Sequence, residues 1–249
     1  MGGLNTQFPH PIVSMDTEFS GVIFKPTQDY NHQTQTPFQY YEVMRKNVND
    51  LKLIQVGLTL ADSQGNLPDF GNHRCIWQFN LSDFDVAKDS CAADSIQLLK
   101  KQGIDLKKTE ERYGIVYNHA TAIELFSQGF LYNYAANWIT FYGGYDFAYL
   151  IKLLIYPNPL PTNLEDFTRL VNQFFGTKVY DIKHMMKSCE GLVGGLEKVG
   201  KLLGVKREVG NCHQAGSDSL LTMNIFVKMY AKYFRSLDIH RTYGGALMI

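Results

Sequence analysis

The apolar run Pro11-Ile12-Val13-Ser14-Met15 leads directly into Asp16-Thr17-Glu18-Phe19. Such a run predicts a short strand. Side chains alternate across a strand, so Asp16 and Glu18 project from one face, two residues apart. Adjacent carboxylates repel each other. A fold keeps such a pair when a cation sits between them, usually a metal, or when the repulsion raises one pKa for acid–base work. A solvated pair at a strand end is the alternative.

The following segments predict a mixed α/β domain. A polar stretch, Lys25 to Gln39, reads as a loop leading to a helix near Tyr40–Asn49. Leu51–Leu60 is a strong strand, Asp62-Ser63-Gln64-Gly65-Asn66 is turn chemistry, and a third strand runs over about Arg74–Asn80. Three strands joined by turns suggest an antiparallel meander. Helical spacing follows at Ser95–Lys101, Lys107–Tyr113 and His119–Phe130. Lys100, Lys101, Lys107 and Lys108 form a solvated basic face or a patch for a nucleic-acid backbone. A fourth strand, Ala136–Tyr142, passes through Gly143-Gly144 into a helix, Tyr145–Tyr156, which Pro157 stops. Then come a helix at Leu164–Phe175, a strand at Lys178–Ile182, a short helix at Gly195–Gly204 and a long one at Ser217–Phe234. No repeat or long linker interrupts this order, so residues 1–249 read as one domain.

Composition narrows the function. With 24 basic and 24 acidic residues the formal charge is zero, whereas a protein that coats long nucleic acid is usually basic. Neutrality leaves room for an enzyme that grips a strand end and borrows positive charge from metals. Cys75, Cys91, Cys189 and Cys212 are far apart and form no CxxC pair, which argues against a disulfide scaffold or structural zinc and suits a reducing compartment. No apolar stretch approaches a membrane span and no signal-peptide pattern opens the chain. Met1-Gly2-Gly3-Leu4-Asn5-Thr6 fits a permissive myristoylation pattern, or is a cloning remnant.

The most informative residues are acids on apolar faces. Asp146 precedes Tyr149, Leu150 and Leu153 by three, four and seven residues, which puts it on their buried stripe at a helix start. Asp218 precedes Leu221, Ile225 and Met229 by three, seven and eleven, and also faces inward. Taken singly, each acid could cap its helix or favour the dipole. With Asp16 and Glu18 there are four candidate acids, which cannot share one space at neutral pH without cations. Two divalent metals resolve the repulsion, and such a constellation serves phosphodiester hydrolysis. His213 lies five residues before Asp218 on a Gly-containing segment, as suits a base that takes a proton from an attacking water.

The order Asp16-x-Glu18, Asp146, His213-x-x-x-x-Asp218 resembles the DEDD exonucleases with a histidine third motif. Closer still, six segments are similar to the Caf/Pop deadenylases, the catalytic exonuclease subunits of the Ccr–Not complex. They are Ser14–Phe19, Trp77–Asn80, Gly144–Phe147, Tyr180–Lys183, Met186–Cys189 and His213–Thr222, and the similarity runs from about Phe8 to Phe234. The resemblance implies an RNase H-like fold, a five-stranded mixed sheet flanked by helices. It implies a 3′→5′ exoribonuclease that shortens mRNA poly(A) tails and releases 5′-AMP. Asp16, Glu18 and Asp218 would hold one metal, Asp16 and Asp146 the second, and His213 would be the base. Mg²⁺ or Mn²⁺ suits these carboxylates, and Zn²⁺ is a further candidate. The implied partners are the 3′ end of poly(A) RNA, a Ccr-type nuclease and a Not-type helical-repeat scaffold, with no membrane. The implied compartment is the cytoplasm, with the nucleus as a second.

The chain departs from the family at Tyr142-Gly143, where relatives commonly carry His-Ser. Relatives also carry a helix ahead of the first strand, and only fifteen residues precede Asp16 here. Asp181 is expected to be structural or to support the site from behind. Phe19, Tyr142 and Tyr145 are available to stack on adenine or to pack in the core. Two rival readings share the fold: a non-catalytic scaffold, and a DNA proofreading or repair nuclease. The presence of all four acids and the histidine favours the enzyme. RNA against DNA rests on 2′-hydroxyl contacts.

Overall fold

A computed structural model of the chain describes residues 10–26, 36–108 and 134–247, with the single positions 120 and 124 between the last two. Strand β1 spans Ile12–Phe19, helix α1 Pro37–Asp50, β2 Leu53–Ala61, β3 Trp77–Asn80 and α2 Ala93–Lys101. They are followed by β4 Asn137–Thr140, α3 Gly144–Leu154, α4 Leu164–Phe175, β5 Val179–Asp181, α5 Leu196–Leu203 and α6 Ala215–Met229. The sheet order is β3-β2-β1-β4-β5. The first three strands pair antiparallel as the expected meander, and β4 and β5 add in parallel. Nearly all of the expected helix His119–Phe130, most of Lys107–Tyr113, residues 27–35 and Gly2 lie outside the described residues.

The two sheet faces carry different chemistry. Val13 and Met15 of β1 enter a core with Tyr41 and Met44 of α1, Phe147 and Leu150 of α3, and Phe167 of α4. Thr17 shares their face by alternation. On the other face Ile12 packs with the cluster of Ile139, Tyr180, Leu221 and Ile225, beneath α5 and α6. Ser14, Asp16 and Glu18 continue that second face. Ser14 Oγ donates to the Ser219 carbonyl of α6 at 2.7 Å, which ties the middle of β1 to the final helix.

Helix α6 presses unusually hard on the sheet. Opposite Ile12, Ser14, Asp16 and Glu18, β2 presents Ala61, Thr59, Gly57 and Gln55. This row is small or polar, and α6 begins with Ala215-Gly216-Ser217. A Cβ on Gly57 would lie 2.0 Å from the carbonyl carbon and oxygen of Ala215. A glycine inside a strand marks such a close backbone approach. The free N–H groups of α6 are met by side chains from the sheet: Gln55 accepts from Ala215 at 3.3 Å and Gln78 from Gly216 at 3.0 Å. Thr59 and Ser219 share a hydroxyl hydrogen bond of 2.9 Å.

Several boundaries differ from the sequence expectation for physical reasons. β1 continues through the acidic motif to Phe19, because β2 pairs with its whole length. α1 starts at Pro37, earlier than Tyr40, because Thr36 and Gln39 form a reciprocal capping box with proline at the first helical position. β3 starts at Trp77, while Arg74 makes an isolated bridge to Asp69. β4 ends at Thr140, since Tyr142 adopts φ 64°. The final helix begins two residues early at Ala215, and its last turn, Tyr230–Phe234, is π-helical.

Gly57→Ala is expected to destabilise the protein by about 1–3 kcal/mol through overpacking. Gly195→Ala should cost less than about 1 kcal/mol, because nothing lies within 4 Å of the added Cβ. Denaturant melts of both variants check this. Equal midpoints would contradict the close approach.

Candidate active site

The acids meet where the sheet runs out of neighbours. β1 pairs with β4 only over Ile12–Ser14, so Asp16–Glu18 has no strand on that side. The start of α3 fills the gap and brings Asp146, which is only 6% exposed. Thr17 Oγ1 donates to Asp146 Oδ1 at 2.5 Å. Asp146 is thus fixed by β1, and among the described residues its carboxylate accepts no hydrogen bond from its own helix, which leaves the capping alternative unsupported. From the far side, the close seat of α6 brings Asp218, also 6% exposed. Its Oδ2 accepts the His213 N–H at 2.9 Å. That bond explains the five-residue spacing: the acid in the first turn reaches back to the residue before the helix cap. His213 itself sits at φ 58° and is exposed.

Among the described residues, Glu18, His213 and Asp218 each offer an atom that could bind a metal, all within 4.8 Å of one another. Asp16 and Asp146 adjoin this group closely enough for mutual repulsion to matter. Burial, followed by the charges of Asp146, Glu18 and Asp218, holds the Asp16 carboxyl well above the ordinary range. Burial and the charges of Asp218 and Asp146 push Glu18 up to about 8. Asp146 reaches about 7, raised by burial and Asp181 and pulled back by Thr17. Burial raises Asp218, against Arg207 and the His213 N–H.

Asp181 closes β5 and is fully buried. Its carboxylate accepts the N–H groups of Tyr142 and Gly143, each at 3.0 Å, and of Lys183 at 2.8 Å. It therefore shapes the turn into α3 from behind, the supporting role expected for it. A Cβ on Gly143 would lie 2.2 Å from Thr140 Oγ1, so this turn excludes any larger residue unless Thr140 moves. Phe19 and Tyr145 stack on each other at 5.2 Å, whereas the Tyr142 ring is exposed and leans on Tyr40 at 6.1 Å.

The five residues singled out from sequence thus lie in one region of the fold. Residues missed there are Arg207, which pairs with Asp218, and the seat of α6: Gly57, Gln55 and Gln78. Gly57 was readable as a glycine within a strand. Arg207 had no signal of its own.

The profile of the CAF1 family ribonucleases matches residues 11–138 and 131–226. The chain belongs to the CAF1 ribonuclease family. It is 47% identical over 223 residues to the probable CCR4-associated factor 1 homolog 10 of Arabidopsis thaliana, covering 89% of this chain and 78% of that protein. It is 42% identical over 246 residues to the poly(A) ribonuclease pop2 of Schizosaccharomyces pombe, covering 94% and 68%. The solved S. pombe Pop2p, a Mg²⁺- and Mn²⁺-bound form, superposes with a TM-score of 0.84 at 40% identity, covering 96% of this chain and 89% of that one. Yeast CAF1 co-crystallised with the NOT1 MIF4G domain gives 0.74 at 28% identity, covering 96% and 87%. The resemblance read from six motifs is borne out, and the sheet is the RNase H-like arrangement it implied.

The CAF1-family site fits hard divalent cations. Its donors are mostly carboxylate oxygens, crowded and partly desolvated, with more negative charge than the adjacent protein groups balance. The pH dependence has a defined sign. Carboxyls raised in the fold bind protons more tightly there than in the unfolded chain, so the metal-free protein loses stability as pH rises from about 4.5 through 7–8. A cation that binds only the folded state offsets this loss. The melting-temperature gain from Mn²⁺ is therefore expected to be larger at pH 8 than at pH 6. Asp16→Asn should melt above the wild type at pH 8 in chelator. A wild type indifferent to Mn²⁺ at pH 8 would contradict the fit.

Proposed function

We propose that this CAF1-family chain is a poly(A)-specific 3′→5′ exoribonuclease, one nuclease domain over residues 1–249, that releases 5′-AMP. The observation that carries the reading is the convergence of Glu18, His213 and Asp218 beside Asp16 and Asp146. The relative named poly(A) ribonuclease supports the substrate. The yeast CAF1 structure with NOT1 supports docking on a Not-type scaffold, and the relative named CCR4-associated factor 1 homolog supports a Ccr-type nuclease as the second partner.

In this reading Asp16, Glu18 and Asp218 would hold one divalent cation, and Asp16 and Asp146 would hold the second. The chemistry such ions would supply when bound is a lowered pKa for the attacking water and stabilised charge on the leaving 3′ oxygen. The protein supplies orientation and proton transfer. Thr17 holds Asp146 in place, and the His213 N–H does the same for Asp218. His213, exposed at the edge of the acid group, takes the proton from the water. Asp181 holds the Tyr142 turn, which leaves that ring exposed beside Tyr40 as a surface for a base of the 3′ end to stack on.

Digestion of oligo(A), oligo(U) and an oligo(dA) control with Mg²⁺, Mn²⁺ or Zn²⁺ tests the reading. The expected product is 5′-AMP, with oligo(A) preferred. Asp16→Ala and Asp218→Ala should abolish release while the fold is kept. His213→Ala should slow it by about 10²–10⁴-fold. Undiminished release in either Asp variant, or in excess chelator, would overturn the two-metal assignment. Faster digestion of the DNA control would move the protein to the rival class.

A further inference from the structure

Arg207 lies on the connection between α5 and α6, and among the described residues it is the Arg or Lys ion-paired with one of the four acids. Its Nη2 is 2.5 Å from Asp218 Oδ1 and also bonds Glu197 Oε1, which Nε reaches at 2.8 Å. Its Nη1 donates to Ser217 Oγ at 2.5 Å and to the Asn211 carbonyl at 3.3 Å. Ser217 in turn donates to the Val209 carbonyl at 2.5 Å. One guanidinium thus joins Glu197 on α5, the backbone leading to His213, and the first turn of α6. The enclosed segment carries His213 in a left-handed conformation, and the second Asp218 oxygen is bonded to the His213 N–H. Such a conformation at a non-glycine residue persists only where its surroundings enforce it.

We propose that Arg207 is a positioning residue: anchored by Glu197, it sets one oxygen of Asp218 and frames the turn that presents His213. This rests on the reading of Asp218 as a metal ligand and His213 as the base. The geometry calls for arginine specifically. Three hydrogen-bond acceptors and the ion-paired Asp218 oxygen, on three structural pieces, are met by one planar fork, which a lysine ammonium cannot reproduce. Outer partners of this kind orient metal-binding carboxylates, and their loss typically costs about 10–100-fold in affinity or activity. Charge alone predicts the opposite sign, because removing a cation beside a dication site strengthens metal binding. The direction of the effect therefore separates positioning from electrostatics.

The test is Mn²⁺ affinity without RNA, by calorimetry or by loss of the free-ion paramagnetic resonance signal. It compares wild type with Arg207→Gln, Arg207→Lys and Glu197→Gln, each confirmed folded by melting. The proposal expects Arg207→Gln to bind about 10–100-fold more weakly. Arg207→Lys should recover little of this, and Glu197→Gln should show a smaller loss in the same direction. Wild-type or tighter binding by Arg207→Gln, or full recovery in Arg207→Lys, overturns it. Should Arg207→Gln fail to fold, Glu197→Gln decides, because its side chain is 48% exposed and its removal spares the core. Wild-type affinity there also overturns the proposal. A wild type that binds no Mn²⁺ would instead overturn the metal-site reading, and the proposal with it.

Discussion

The site depends on how closely α6 can approach β2. At Gly57 the backbone of Ala215 occupies the space a side chain would need. Gly57 is the register partner of Asp16, so the closest contact falls beside the first acid. The rest of the seat is built to match: Gln55 and Gln78 satisfy the opening N–H groups of α6, while Ser14 and Thr59 bond its Ser219. A more distant helix would leave Asp218 too far from Asp16 and Glu18 to share a cation with them. Packing on one residue of β2 thereby sets the chemistry on β1.

That packing creates an electrostatic cost. Four carboxylates from β1, α3 and α6 lose water and face one another, and each is raised above its ordinary range. The protein offsets part of this with Thr17 on Asp146 and Arg207 on Asp218. The remainder is left for cations. A site destabilised without its ligand is common where function requires strain, and substitutions that relieve it tend to stabilise the fold while ending activity.

Much of the arrangement was legible before the structure. Alternation placed Asp16 and Glu18 on one face, and helical spacing turned Asp146 and Asp218 inward, because both periods are local properties of the backbone. The antiparallel meander followed from the order of elements, and the mixed five-stranded sheet from the family resemblance. Thr17, Arg207 and Gln78 were not legible in this way, because their roles come from long-range contacts that no local pattern records. The early end of β4 was hidden for a similar reason. The turn at Tyr142 is imposed by Asp181, thirty-nine residues further on.

The central claim is that this cluster is a two-cation site bridged by Asp16. Anomalous diffraction at the manganese edge, from crystals of the wild-type chain grown with Mn²⁺, tests it most directly. The account predicts two manganese peaks in the cluster, with Asp16 in contact with both, Glu18 and Asp218 on one, and Asp146 on the other. No peak there, a single peak, or two peaks without Asp16 between them would contradict it.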